Sequence, residues 1–223
     1  MLTDPPRITQ LRPTNRDPHR LTVKVDGRAV GTLSEKLIAD LGLAVGQTWT
    51  DALAEQLAGA LTYDKAFRAA TRRLARKAMS RGGLELKLRQ VKEPAPPEVI
   101  TQVLDRLAEL DLLDDEAYGR ALIRDLTRSK PAGPALIKQK LYAQRLDREL
   151  IDRLVAESTP PKDDQREDAL AYARKKQRAM AHLPADTQKR RLQGQLARRG
   201  FPADVVFDVL NSAIKAADED HFD

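Results

Sequence analysis

Three groups of arginines are spaced for one kind of chemistry, the two-pronged pairing of guanidinium with phosphate or carboxylate. Arg68, Arg72 and Arg76 recur every fourth residue, Arg120, Arg124 and Arg128 repeat that spacing 52 residues later, and Arg174 and Arg178 resume it after a further 54. At 100° per residue, positions i, i+4 and i+8 share one face of a helix, so each group is expected to form a basic row opposite the apolar positions beside it. A solvated face needs charge, but not the same sign at the same phase three times. The rows therefore point to a polyanion or an acidic protein groove. Arg81, Lys87, Lys138 and Lys140 extend the pattern to neighbouring segments, as do Lys189, Arg190 and Arg191.

Other chemistries fit the sequence poorly. Asp114, Asp115 and Glu116 are three adjacent carboxylates that could hold magnesium for phosphoryl transfer, but adjacent helical residues diverge by about 100°, and an Asp before Glu116-Ala117-Tyr118 reads as a helix cap. His19, His182 and His221 lack metal-ligand spacing, and no G-x-x-x-x-G-K-[ST] phosphate loop occurs. The chain contains no cysteine, which excludes disulfides, thiolate metal sites and thiol catalysis. No enzyme activity, cofactor or metal is expected.

The 223 residues are 41% hydrophobic and 32% charged, with a formal charge of +6. That composition supports a buried core, and no apolar run approaches the length of a membrane span. Met1 to Pro6 lacks the basic flank and apolar run of a secretory signal, so a cytoplasmic protein with no membrane partner is expected. The charge is unevenly placed. Met1 to Thr62 carries seven basic and seven acidic residues, whereas Ala66 to Lys92 and Arg174 to Arg199 each carry nine basic and one acidic.

The elements that would position these charges fall into two styles. Leu21, Val23 and Val25 alternate with polar residues, Asp26-Gly27 supplies a tight turn, and Ala29 to Leu33 completes a hairpin. Ser34 caps a helix ending at Gly42, Gly46 to Trp49 suggests another short strand, and Asp51 starts a second helix through Leu53, Leu57 and Leu61. From Tyr63 onward the period is helical, and a unit of about 53 residues recurs three times. Its last helix is marked by Val99-Ile100/Val103-Leu104, Leu150-Ile151/Leu154-Val155 and Val205-Val206/Val209-Leu210. Its middle helix is marked by Leu84/Leu88, Ile137/Leu141 and Leu192/Leu196, and its first by Ala70/Leu74, Leu122/Leu126 and Ala173/Met180. One such unit has too little core to stand alone, so neighbours should stack. The expected fold is mainly α: three tandem three-helix repeats, at residues 63–115, 116–158 and 159–223, preceded by a small mixed α/β module with a β-hairpin at residues 1–62. Trp49, Phe201 and Phe207 are expected as core anchors, and the acidic run Asp218 to Asp223 as a solubilising end.

Arg81-Gly82-Gly83-Leu84-Glu85-Leu86, Leu112-Leu113-Asp114-Asp115-Glu116-Ala117-Tyr118 and Gly133-Pro134-Ala135-Leu136-Ile137 with Leu141 follow one another in order. This ordered set resembles RecX, the family of regulators of the RecA recombinase. That family carries an arginine-serine-x-x-glutamate-leucine segment, a leucine-aspartate-aspartate turn with a nearby aromatic, and a glycine-proline-x-x-isoleucine segment. The resemblance is densest from Arg81 to Leu141 and continues to Arg199-Gly200-Phe201. Three positions depart from it. Gly82 replaces the serine and should weaken a helix cap, Glu93 to Pro97 is longer and richer in proline than the family's short glycine turn, and Arg145-Leu146 lacks a glycine.

The resemblance implies that the three repeats form an elongated curved array, in a chain that binds RecA and its DNA filament, inhibits ATP hydrolysis and strand exchange, and limits filament growth. The implied partners are RecA, its nucleoprotein filament, and single- or double-stranded DNA without sequence preference, with the chain acting as a monomer. The competing reading is an independent DNA-binding protein that uses its three-helix units as helix-turn-helix modules. Against it, the third helices around Glu98 to Gln102 and Asp204 to Asp208 are acidic or apolar, which suits a major groove poorly.

Overall fold

The computed structural model describes residues 4–219, with side chains described through Ser212. The acidic run at residues 218–223 and His221 fall outside what is described at side-chain level.

Three antiparallel strands open the chain: β1 (Ile8–Pro13), β2 (Arg20–Val25) and β3 (Arg28–Ser34), in the order β1-β2-β3. The β2–β3 hairpin turns at Asp26-Gly27, whose φ values of 45° and 79° are the left-handed pair that matches strand twist. Alternation buries Val23 and Val25 on one face of β2. β1 has no such signal in the sequence. It buries only Ile8, and Pro5, Pro6 and Pro13 surround it, so its strand state comes from pairing to the open edge of β2. The strand expected at Gly46 to Trp49 reduces to one bridge between Arg7 and Thr48, because Gly46 at φ 89° turns the chain there. Ser34 caps α1 (Glu35–Asp40) by accepting from Leu37 N at 3.3 Å, and Gly42 takes the left-handed φ of 60° after it.

Thr50 caps α2 (Asp51–Leu74), a single helix that runs through position 62 without a break. Its first half packs Leu53 and Leu57 into the core beneath the sheet, with Ile8, Val23, Leu33 and Ile38, and its second half buries Ala66 and Ala70. Gly31 leaves room for Leu61: a Cβ at Gly31 would lie 2.7 Å from that side chain. Arg20 ties sheet to helix. Its guanidinium donates to both Asp64 carboxylate oxygens, at 2.9 and 2.7 Å, and to Thr32 O at 2.8 Å.

The remaining helices form three-helix modules. α2 is followed by α3 (Arg81–Arg89) and α4 (Pro97–Glu109); then come α5 (Asp115–Thr127), α6 (Pro134–Ala143) and α7 (Arg148–Ser158), and α8 (Lys162–Arg178), α9 (Ala185–Arg198) and α10 (Ala203–Glu219). The apolar positions read from the repeats line these cores: Leu84, Leu88, Ile100, Val103 and Leu104 are buried, as are Ile137, Leu141, Ile151 and Leu154, and Leu192, Leu196, Val205 and Val209. In α5 the buried face is Gly119 and Ile123, while Leu122 and Leu126 are half-buried. Phe201 is buried and Trp49 packs against the sheet core, but Phe207 is 66% exposed. α10 buries Val205, Val206, Val209 and Leu210, and position 207 points away from that stripe.

Packing divides the chain into two compact units. One holds residues up to Ala78 together with Leu84–Leu112, and the other holds Met79–Gly83 with the chain from Leu113. The amino end of α3 thus belongs with the second unit.

Candidate partner and nucleic-acid interface

Arg68 and Arg72 lie exposed on α2, but the row expected to include Arg76 stops short of it, because α2 ends at Leu74 and Arg76 sits in the following turn. Arg120 and Arg124 lie on α5 with Arg128 as its C-cap, and Arg174 and Arg178 on α8. Arg81 and Lys87 are on α3, Lys138 and Lys140 on α6, and Lys189, Arg190 and Arg191 on α9.

The rows are not uniform in charge. Arg120 donates to Glu116 at 2.9 Å and to Glu157 at 2.7 Å, and Glu116 also accepts from Arg153 at 2.8 Å. Those hydrogen bonds, Arg120 first, hold Glu116 below the usual carboxylate range. Lys138 pairs with Asp152 at 2.6 Å, which raises the lysine and lowers the carboxylate. Arg128 lies 3.8 Å from Asp125. By contrast, Arg68, Arg72, Arg124, Arg174 and Arg178 form no ion pair among the described residues.

Sequence spacing also missed cations. In the second unit two adjoining clefts, of about 470 and 250 Å³, share Lys130 and Asp168. Arg128 lines the first, and Lys175 and Lys176 line the second. Lys176 Nζ lies 5.7 Å from the centre of the Tyr172 ring. Lys175 and Lys176 belong to the basic block that starts at Arg174, but their helical phase differs from the arginine row. Only the fold brings them round to Arg128.

The motif carboxylates have structural partners. Asp114 Oδ1 accepts from Ala117 N at 2.8 Å and so caps α5, while Asp115 Oδ1 accepts from Arg81 N at 2.6 Å at the start of α3. Burial pushes the Asp115 carboxyl up, opposed by the Arg81 hydrogen bond and charge. Tyr118 Oη donates to Gln144 Oε1 at 2.9 Å, and the Gln144 carbonyl accepts from Ser80 Oγ. Ser80, buried, also accepts from Gly83 N at 3.0 Å, so the cap expected to be weakened at Gly82 is supplied by Ser80. Gly82 has its own reason: a Cβ there would lie 2.5 Å from Arg145 O.

The model of "RecX, second three-helix domain" matches residues 114–154 and that of "RecX, third three-helix domain" matches residues 163–210. Regulatory protein RecX of Levilactobacillus brevis is 29% identical over 201 residues, 90% of this chain and 74% of that protein. Regulatory protein RecX of Pseudomonas fluorescens is 35% identical over 139 residues, 62% of this chain and 84% of that protein. The chain belongs to the RecX family. A crystal structure of regulatory protein RecX superposes with a TM-score of 0.75 at 22% identity, covering 91% of this chain and 99% of the other, a likeness of fold.

Within this RecX fold, helix ends meet in a repeated way. As Gln144 and Arg145 at the end of α6 meet the start of α3, Arg199 and Gly200 at the end of α9 meet the start of α6. Gly133 N donates to Arg199 O at 2.8 Å and Ala135 N to Gly200 O at 3.2 Å. Carbonyls left over at one helix end satisfy amides left over at another. Gly133 permits the approach, since a Cβ there would collide with Gly200 O. Arg199 reinforces it by donating to the Pro131 and Lys130 carbonyls, at 2.6 Å (Nε) and 2.7 Å (Nη2). Among the described residues no helix is long and apolar enough to cross a membrane.

Proposed function

We propose that this chain is a negative regulator of the RecA recombinase, binding RecA and its DNA filament in the cytoplasm, inhibiting ATP hydrolysis and strand exchange and limiting filament growth. Membership of the RecX family supports the partner. The observation that carries the surface is the basic concavity of the second and third repeats, where Arg128, Lys130, Lys175 and Lys176 surround adjoining clefts that share Asp168, and Arg124, Arg174 and Arg178 form no ion pair among the described residues. The other candidate contacts are Arg68, Arg72, Arg76, Arg81, Lys87, Lys140, Lys189, Arg190 and Arg191, with Arg120 and Lys138 engaged within the chain.

Several exposed cations on successive repeats suit a periodic anionic target, because weak contacts on one scaffold reinforce one another. DNA contacts would be to the backbone and therefore tolerant of sequence. The chain acts as a monomer that inhibits without chemistry of its own, by occupying filament surface. The test is RecA ATPase on single-stranded DNA with increasing amounts of this protein. Hydrolysis falls on this reading, and unchanged turnover at protein excess refutes it.

A further inference from the structure

The segment Glu93-Pro94-Ala95-Pro96-Pro97, which ends the α3–α4 connection and opens α4, departs from the family pattern and plays no part in the basic concavity of the second unit. Its residues Glu93 to Pro96 form one wall of a cleft of about 710 Å³ whose opposite wall is α2. The floor is apolar, with Ala69 and Val91 half-buried over Leu88 and Ile100. Lys65, Arg72, Arg73 and Lys92 stand around it, against one acid, Glu93, which accepts from Lys65 at 3.2 Å. Positive charge is therefore in excess at the rim.

The walls are set in advance. Proline fixes φ and holds the residue before it extended, and Pro96 at φ −51° and ψ 148° has the polyproline form. Arg73 Nη1 donates to Ala69 O at 3.1 Å, which lays its guanidinium along the α2 wall.

We propose that this cleft docks an acidic peptide segment carrying one apolar side chain, the carboxylates meeting Arg72, Arg73 and Lys92 and the apolar group resting on Ala69 and Val91. Charge complementarity selects the acidic class, and the floor and proline wall select a peptide over a nucleic acid strand. None of the lining residues is aromatic, so bases would find no stacking platform, and a phosphate backbone offers nothing to an apolar floor. The site stands apart from the regulator reading, sharing Arg72 with it, and its test leaves Arg72 unchanged.

The test uses the full chain and fluorescence anisotropy with three labelled probes: a short aspartate- and glutamate-rich peptide with one central leucine, the same peptide with serine for leucine, and oligothymidylate. The leucine peptide should bind about tenfold more tightly than the serine peptide, as expected for burying one leucine side chain. Lys92→Glu, an exposed rim change, should weaken the leucine peptide by about tenfold while shifting oligothymidylate affinity by less than about twofold. Ala69→Glu, checked by melting, should abolish peptide binding by placing a carboxylate on the floor. No peptide binding, equal affinity for the two peptides, indifference to Lys92→Glu, or an equal loss for oligothymidylate would each overturn the proposal, the last by making the cleft a nucleic-acid path.

Discussion

Asp114, Asp115 and Glu116 are consecutive carboxylates that serve different partners: one caps its own helix, one caps the start of α3, and one joins an arginine network. The Asp115 carboxyl has its pKa raised by burial, so its stabilising contribution is complete below the ordinary carboxylate range and is lost as pH rises through its folded value. Asp115→Asn keeps an acceptor for Arg81 N without the buried charge. It should match or exceed the parent in stability at neutral pH, with the difference closing toward acid pH. Asp115→Ala removes the acceptor and should cost about 1 to 3 kcal/mol in urea unfolding. Asp64 is a buried carboxylate gripped by Arg20. Asp64→Ala strands that guanidinium between sheet and α2 and should lower stability by about 3 kcal/mol, read from denaturant melts.

Where one helix ends against the start of another, small residues set the spacing. Gly82→Ser, which restores the usual family residue, puts a Cβ 2.5 Å from Arg145 O and should destabilise by about 2 kcal/mol in thermal or urea melts. Arg145 itself sits at φ 60°, so Arg145→Gly should stabilise by roughly 0.5 to 1 kcal/mol. Sequence periodicity reaches only part of this. The apolar i, i+4 pairs of α3, α6 and α9 locate their buried faces because burial writes directly into the pattern. Gly82 and Arg145 look like two separate departures, since contacts between residues so distant in sequence leave no local signal. β1 is illegible for the same reason, being made by its partner strand, and Phe207 misleads because an aromatic is expected inside whatever its helical phase. Arg76 is lost from its row because no proline or glycine marks the end of α2 at Leu74.

Across the whole molecule the net charge of +6 matters less than its uneven placement. Arg120 in its row and Lys138 on the neighbouring helix are held by Glu116, Glu157 and Asp152, whereas Lys175 and Lys176, in the basic block but outside the arginine row, line a cleft. Binding to single-stranded DNA should depend on counterion release, so affinity measured by anisotropy should fall on the order of tenfold or more between low and physiological salt. It should also be indifferent to sequence. The most direct test is RecA ATPase on single-stranded DNA with the parent and with Arg124→Glu/Arg128→Glu/Arg174→Glu, exposed positions chosen to leave the Arg120 network intact. The parent should suppress hydrolysis, and the triple variant should fail to do so while its melting temperature stays close to the parent's. A triple variant that folds normally and still suppresses RecA fully would contradict it.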